Sequence, residues 1–135
     1  MKPAEIVLIE DNPADVLLVE IALREAGIGC SLTRFESGNE AIEALCGLPE
    51  QGGIQPNAIL LDLNTPGSDG FEALVKLKQF PRLAQVPIAV LTSSRAPSDR
   101  NRAAILGVRY IQKPSQLNEF LTSVGEAVKG MLALS

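Results

Sequence analysis

Short, almost unbroken apolar runs alternate along this chain with longer stretches in which apolar residues recur every three or four positions. Three of the runs, Ile6-Val7-Leu8-Ile9, Ala58-Ile59-Leu60-Leu61 and Ile88-Ala89-Val90-Leu91, lack the alternation of a strand with one wet face. They predict strands buried on both sides, as in a parallel sheet. Two weaker segments, 31–35 and 108–112, complete a set of five.

The stretches between them read as helices with recognisable ends. Asn12 caps a helix over 13–26 with Pro13 at its first position, an apolar stripe of Val16, Leu17, Val19, Ala22 and Leu23, and Gly27 as the stop. Ser37 and Glu40 form a capping box for a second helix, ended by Gly47. Asp69 caps a third, carrying Phe71, Leu74, Val75 and Leu77 and stopping before Pro81. Ser98 caps a short fourth that runs to Leu106 and ends at Gly107. The last begins near Ser115, with Leu117, Leu121, Val124 and Val128 on one face, prolonged by Met131 and Leu132.

Five βα units with right-handed crossovers predict an α/β fold: a doubly wound five-stranded parallel sheet in the order 2-1-3-4-5, of flavodoxin-like type. With 135 residues the expectation is one domain over 1–135, too short for a closed eight-unit barrel.

Composition narrows the chemistry. The chain has no histidine, which removes histidine-dependent triads, histidine-ligated zinc and any role as a phosphohistidine donor. A net charge of -4 and 4% aromatic residues argue against nucleic-acid binding. No apolar run reaches the roughly 18 residues of a membrane span. Cys30 and Cys46 show no metal-ligand spacing and read as reduced thiols of a cytoplasmic protein.

In an open α/β sheet, ligands collect outside the carboxyl ends of the strands. There the first strand delivers Glu10 and Asp11, the third Asp62, the fourth Thr92 and the fifth Lys113. Each alone is ordinary strand-end polarity, but together they form a pattern. Crowded carboxylates call for a cation, and hard oxygen ligands suit a hydrated Mg²⁺ that shares phosphate oxygens. Lys113 and the Thr92 hydroxyl would hold the remaining oxygens of a transferring phosphoryl group, leaving Asp62 as the nucleophile.

These residues carry a resemblance. Glu10-Asp11 resembles the acidic pair of the receiver domains of two-component response regulators; DLNTPGSDG from Asp62 resembles their phosphoacceptor loop, VLTSS their hydroxyl strand end at Thr92, and Lys113-Pro114 their lysine–proline pair. The stretch EDNPADVLLVEIAL is similar to the small stand-alone regulators paired with bacteriophytochrome histidine kinases. The resemblance implies that Asp62 accepts a phosphoryl group from a sensor histidine kinase and that Asn64 offers its backbone carbonyl to Mg²⁺. It also implies a cis peptide between Lys113 and Pro114, and that Thr92 and Tyr110 work as a switch pair.

The rival reading is a Mg²⁺-dependent phosphohydrolase with an aspartyl nucleophile, which needs an acid two positions beyond the nucleophile; that position is Asn64. A homodimer through the fourth helix, fifth strand and fifth helix is also expected. The segment from Arg95 to Lys113 is basic, and Val128, Met131, Leu132 and Leu134 extend the last helix beyond what a sheet of this size needs to be covered.

Overall fold

The computed structural model describes residues 3–45, 55–63, 70–113 and 116–133. In chain order the elements are β1 (Ala4–Ile9), α1 (Pro13–Glu25), β2 (Cys30–Phe35), α2 (Gly38–Leu45), β3 (Ala58–Asp62), α3 (Gly70–Lys78), β4 (Ile88–Thr92), α4 (Pro97–Ile105), β5 (Arg109–Gln112) and α5 (Leu117–Leu132). The strands form one sheet in the order β2-β1-β3-β4-β5, every pair parallel. The continuous apolar runs fall where they are needed. Strands β3 and β4 are buried along their whole length, whereas the outer β2 and β5 are half-buried and more polar.

Alternation along each strand divides the core in two. Ile6, Leu8, Leu60, Leu91 and Ile111 pack on one face beneath α1 and α5, through Val16, Val19, Phe120 and Val124. Val7, Ile9, Ile59, Leu61 and Val90 pack on the other, against Ala41, Leu74, Leu77 and Ala103 of α2, α3 and α4. Successive strand residues point to opposite faces, so an unbroken apolar run feeds both layers.

Helix ends follow their local chemistry. The Asn12 side chain accepts from the Ala14 N–H, and Gly27 leaves α1 with a φ of 72°. Gly107 leaves α4 with a φ of 70°, a left-handed conformation that suits glycine. Several expectations need correction. Leu17 and Val75, read as part of the apolar faces of α1 and α3, are 54% and 40% exposed. Ser98 lies inside α4 and does not cap it: Ala96 holds the cap position with Pro97 behind it, and Ser94 Oγ accepts from the Ala96 N–H at 3.2 Å. Leu117 is 54% exposed, and Phe120 takes its place in the core. Val128 and Met131 are fully buried in the chain's own core, so the end of α5 covers the sheet of its own domain. The expected stop at Gly47, cap at Asp69 and helix start at Ser115 lie outside the described residues, as do Cys46 and Leu134.

Helix α3 begins against the backbone that follows Asp62. A Cβ at Gly70 would stand 2.6 Å from Leu63 Cα and 2.8 Å from the Leu63 carbonyl oxygen. Both are main-chain atoms, so no rotamer relieves the clash. Gly70→Ala should therefore destabilise the fold by about 1–3 kcal/mol, against the ~1 kcal/mol that alanine ordinarily gains in a helix. Urea unfolding at an unchanged m-value measures this; a stabilised variant would refute the close approach.

Candidate functional site

The polar residues that end the buried runs continue the alternation of their strands. Glu10, Asp62 and Lys113 extend the series ending at Leu8, Leu60 and Ile111, and so fall on the face beneath α1. Thr92 extends the series of Val90 and falls on the opposite face with Tyr110, which packs against that layer. The five predicted groups thus form two neighbouring sets, one ionic and one of hydroxyls.

The ionic set centres on Lys113. Its Nζ donates to Asp62 Oδ2 at 2.8 Å and to Asp15 Oδ2 at 2.9 Å, and lies 3.5 Å from Glu10 Oε2. Its backbone is fixed as well, since the Lys113 N–H donates to the Thr92 carbonyl at 2.7 Å and extends the β4–β5 ladder. Asp15, in the first turn of α1, is a member of the site that the strand-end argument missed. Its signal was place: Asp15 is an acid in the first turn of the helix that follows directly on the acidic pair and the Asn12 cap.

Glu10 is 1% exposed, and its Oε2 accepts no hydrogen bond. Burial, with the hydrogen bond to Asp62 and its negative charge, pushes the Glu10 carboxyl from 4.5 up to about 9 against the opposing pull of Lys113. Glu10 therefore takes up a proton far more readily than an ordinary carboxyl. For Lys113, burial favours the neutral amine, but the bonds to Asp62 and Asp15 and the charges of Asp62 and Glu10 outweigh it and raise its pKa above the usual lysine value.

Glu10, Asp11 and Asp62 each offer one oxygen, all within 4.8 Å of one another. Opposite ligands of a Mg²⁺ ion, at about 2.1 Å each, lie about 4.2 Å apart, so a modest contraction would close these oxygens around such an ion. The buried Glu10 oxygen without a donor is the place such a cation would satisfy. The donor set fits a small, hard divalent ion. Asn64 and the Lys113–Pro114 peptide bond lie outside the described residues.

The hydroxyl set meets at Ser94. Buried Thr92 accepts from the Ser94 N–H at 3.0 Å through Oγ1, and the Tyr110 hydroxyl donates to the Ser94 carbonyl at 2.8 Å. The Ser94 hydroxyl donates to Asp99 Oδ2 of α4 at 2.7 Å. Arg100 stacks over the Tyr110 ring with its guanidinium carbon 4.9 Å from the centroid. One residue therefore links the strand-end hydroxyl, the strand-β5 aromatic and helix α4, an arrangement the sequence reading did not include.

The response regulator receiver domain family matches residues 6–125. The chain belongs to this family and is a receiver-domain response regulator of two-component systems, a signalling module. Response regulator Rcp1 of Synechocystis sp. is 36% identical over 127 residues, covering 90% of this chain and 84% of Rcp1. The crystal structure of Rcp1 in its Mn²⁺-bound form gives a TM-score of 0.82 at 35% identity, covering 92% of this chain and 91% of that one. The phosphorylated cyanobacterial phytochrome response regulator RcpA gives 0.88 at 31% identity over 99% of this chain and 97% of its own. The bacteriophytochrome response regulator AtBRR gives 0.74 at 32% identity, covering 95% and 94%.

The raised Glu10 value has a sign that can be tested without metal. Between 4.5 and about 9 the folded chain holds a Glu10 proton that the unfolded chain has released. The Glu10 contribution to stability is therefore complete below pH 4.5 and is lost as pH climbs toward 9, by up to about 1.4 kcal/mol per unit. Glu10→Gln should flatten this slope in chelator-treated protein, read as denaturation midpoint against pH; an unchanged slope would assign the effect elsewhere.

Proposed function

We propose that this chain is a one-domain cytoplasmic response regulator in which Asp62 takes a phosphoryl group from a sensor histidine kinase. Mg²⁺ would be held by Glu10, Asp11, Asp62 and the Asn64 carbonyl. The observation that carries the reading is the convergence of Lys113 Nζ on Asp62, at 2.8 Å, beside an acidic cluster able to take a cation. When bound, the cation supplies positive charge to the phosphoryl oxygens and offsets the crowding of the carboxylates. An Asp62 oxygen forms the new bond to phosphorus as the phosphorus–nitrogen bond of the phosphohistidine breaks and the imidazole leaves with the electron pair. Lys113 keeps a donor on the phosphoryl oxygens, and positioning of this kind is most of what the transfer asks of a protein.

Thr92 donates its hydroxyl to a phosphoryl oxygen by turning from the Ser94 N–H. The β4–α4 loop shifts with it, and Tyr110 follows Ser94. A partner then reads the changed α4 and β5 surface, with the phosphoryl group biasing two states of the domain. The kinships with RcpA and AtBRR support a phytochrome-type kinase as the donor. No direct nucleic-acid or membrane role follows from this reading; among the described residues no helix is long and apolar enough to cross a membrane. Asparagine at position 64 disfavours the phosphohydrolase alternative, which needs an acid there.

Incubation with Mg²⁺ and acetyl phosphate should add one phosphoryl group to the intact mass, labile to base, and Asp62→Asn should abolish the addition. Labelling of Asp62→Asn at the wild-type rate would reassign the acceptor.

The same reading includes a phosphorylation-linked homodimer through α4, β5 and α5, where Ile105 is 83% exposed and Arg95, Arg100 and Arg109 are exposed as well. Arg102 is a poor probe of this face because its guanidinium stacks 4.0 Å over Phe71 of its own chain. Ile105→Glu should hold the beryllofluoride-loaded protein as a monomer in light scattering while the loaded wild type pairs. A wild type that stays monomeric when loaded would leave this face to a different partner.

A further inference from the structure

We propose that Arg34 is a positioning residue that aims the acidic pair Glu10-Asp11 at the cation; this rests on the reading of that pair as metal ligands. Arg34 lies on the edge strand β2, opposite Leu8 in the β1–β2 register. Its Nε donates to the Glu10 carbonyl at 3.0 Å and its Nη2 to the Asp11 carbonyl at 2.9 Å. The β1–β2 backbone ladder reaches only as far as the Glu10 N–H, which donates to the Phe35 carbonyl at 2.9 Å. The guanidinium carries the pairing two carbonyls further, into the turn that leads to Asn12 and α1.

Those two carbonyls belong to the two peptide planes that meet at Asp11 Cα. Holding both planes fixes the backbone of Asp11, and with it the direction of its Cα–Cβ bond. The constraint matters because Asp11 is exposed, so packing does not orient its side chain. Glu10 is already held by burial, and its Oε1 accepts from the Asn12 N–H at 3.4 Å, so the Arg34 fork acts chiefly on Asp11. The planar guanidinium presents two donors at a fixed spacing, which the single ammonium of lysine does not. Charge-assisted bonds to carbonyls are also stronger than neutral ones.

Two possible roles for Arg34 predict opposite signs. A guanidinium beside a cation site repels the cation, so if Arg34 acted only by its charge, removing it would tighten divalent binding. If it aims the ligands, removing it weakens binding, as loss of outer-shell support does by about 10–100-fold in metal sites.

The experiment counts free Mn²⁺ by its electron paramagnetic resonance signal during titration of wild type, Arg34→Ala, Arg34→Lys and Asp11→Asn, with thermal midpoints recorded for each chelator-treated protein. The expected result is a dissociation constant raised at least about tenfold in Arg34→Ala. Arg34→Lys, which keeps the charge and loses the fork, should fall well short of wild type. It also provides the decisive measurement if the alanine variant fails to fold. Unchanged or tighter Mn²⁺ binding in the folded Arg34 variants would overturn the inference, as would a lower thermal midpoint with wild-type binding, which marks Arg34 as merely structural. If Asp11→Asn itself bound Mn²⁺ like wild type, the acidic pair would not be the metal site, a failure distinguishable from that of Arg34 alone.

Discussion

The Lys113 ammonium is the interaction on which the rest of this site depends. It is mostly buried and lies within 3.5 Å of carboxylate oxygens from β1, α1 and β3. Acids this close would repel one another and open the strand ends unless a cation stood between them. A single ammonium does not neutralise all of them, and burial raises the affinity of Glu10 for a proton. The cluster thus leaves negative charge that a further cation or a proton would offset, and a divalent ion would bring more charge to the same place than a proton.

Strand alternation makes this possible without mixing the two kinds of chemistry. The charged groups inherit the face under α1 and α5, and Thr92 and Tyr110 inherit the face under α4. Under the proposed function, a change at Asp62 would have an ionic side, where it is made, and a hydroxyl side, where helix α4 would register it. Ser94 is the crossing point, since its N–H serves Thr92, its carbonyl serves Tyr110 and its hydroxyl serves Asp99. Movement of Thr92 in the proposed switch would disturb the first of these bonds and, through a single residue, the other two.

The sequence made the sheet legible because its central strands are buried on both faces, leaving runs such as Ala58-Ile59-Leu60-Leu61 that little else produces. The site followed from those runs, for the first polar residue after each one lies where the sheet's ligands collect. Residues that reach the site from elsewhere carried no such mark. Asp15 looks like an ordinary first-turn acid of a helix, and Arg34 like a polar position on a half-buried edge strand. Each reaches the site through a contact that joins segments far apart in the chain, 98 residues apart for Asp15 and Lys113. Helix ends failed differently: Ser98 offers a hydroxyl near the right place, but Pro97 already fits the first position, so the cap falls at Ala96. Leu117 keeps the period of its helix yet lies before the turn that first meets the sheet, where Phe120 is buried.

In the proposed transfer, Asp15 would let Lys113 serve Asp62 through a change in that residue's chemistry. An ammonium anchored only by Asp62 would lose its partner geometry when the carboxylate became an acyl phosphate, and would have to find the phosphoryl oxygens anew. Here a second bond, 2.9 Å to Asp15 on α1, does not involve the reacting group. The ammonium is therefore held by an element that the proposed transfer would leave untouched, and its three donors would allow it to keep Asp15 while turning toward phosphoryl oxygen. Preorganised charge of this kind stabilises a transition state because little reorganisation remains when the charge develops. The cost is competition, since a lysine shared with Asp15 gives less of its field to the phosphoryl group. The added acid thus exchanges some strength of the Lys113 interaction for constancy of its position, from the first turn of the helix that follows the acidic pair.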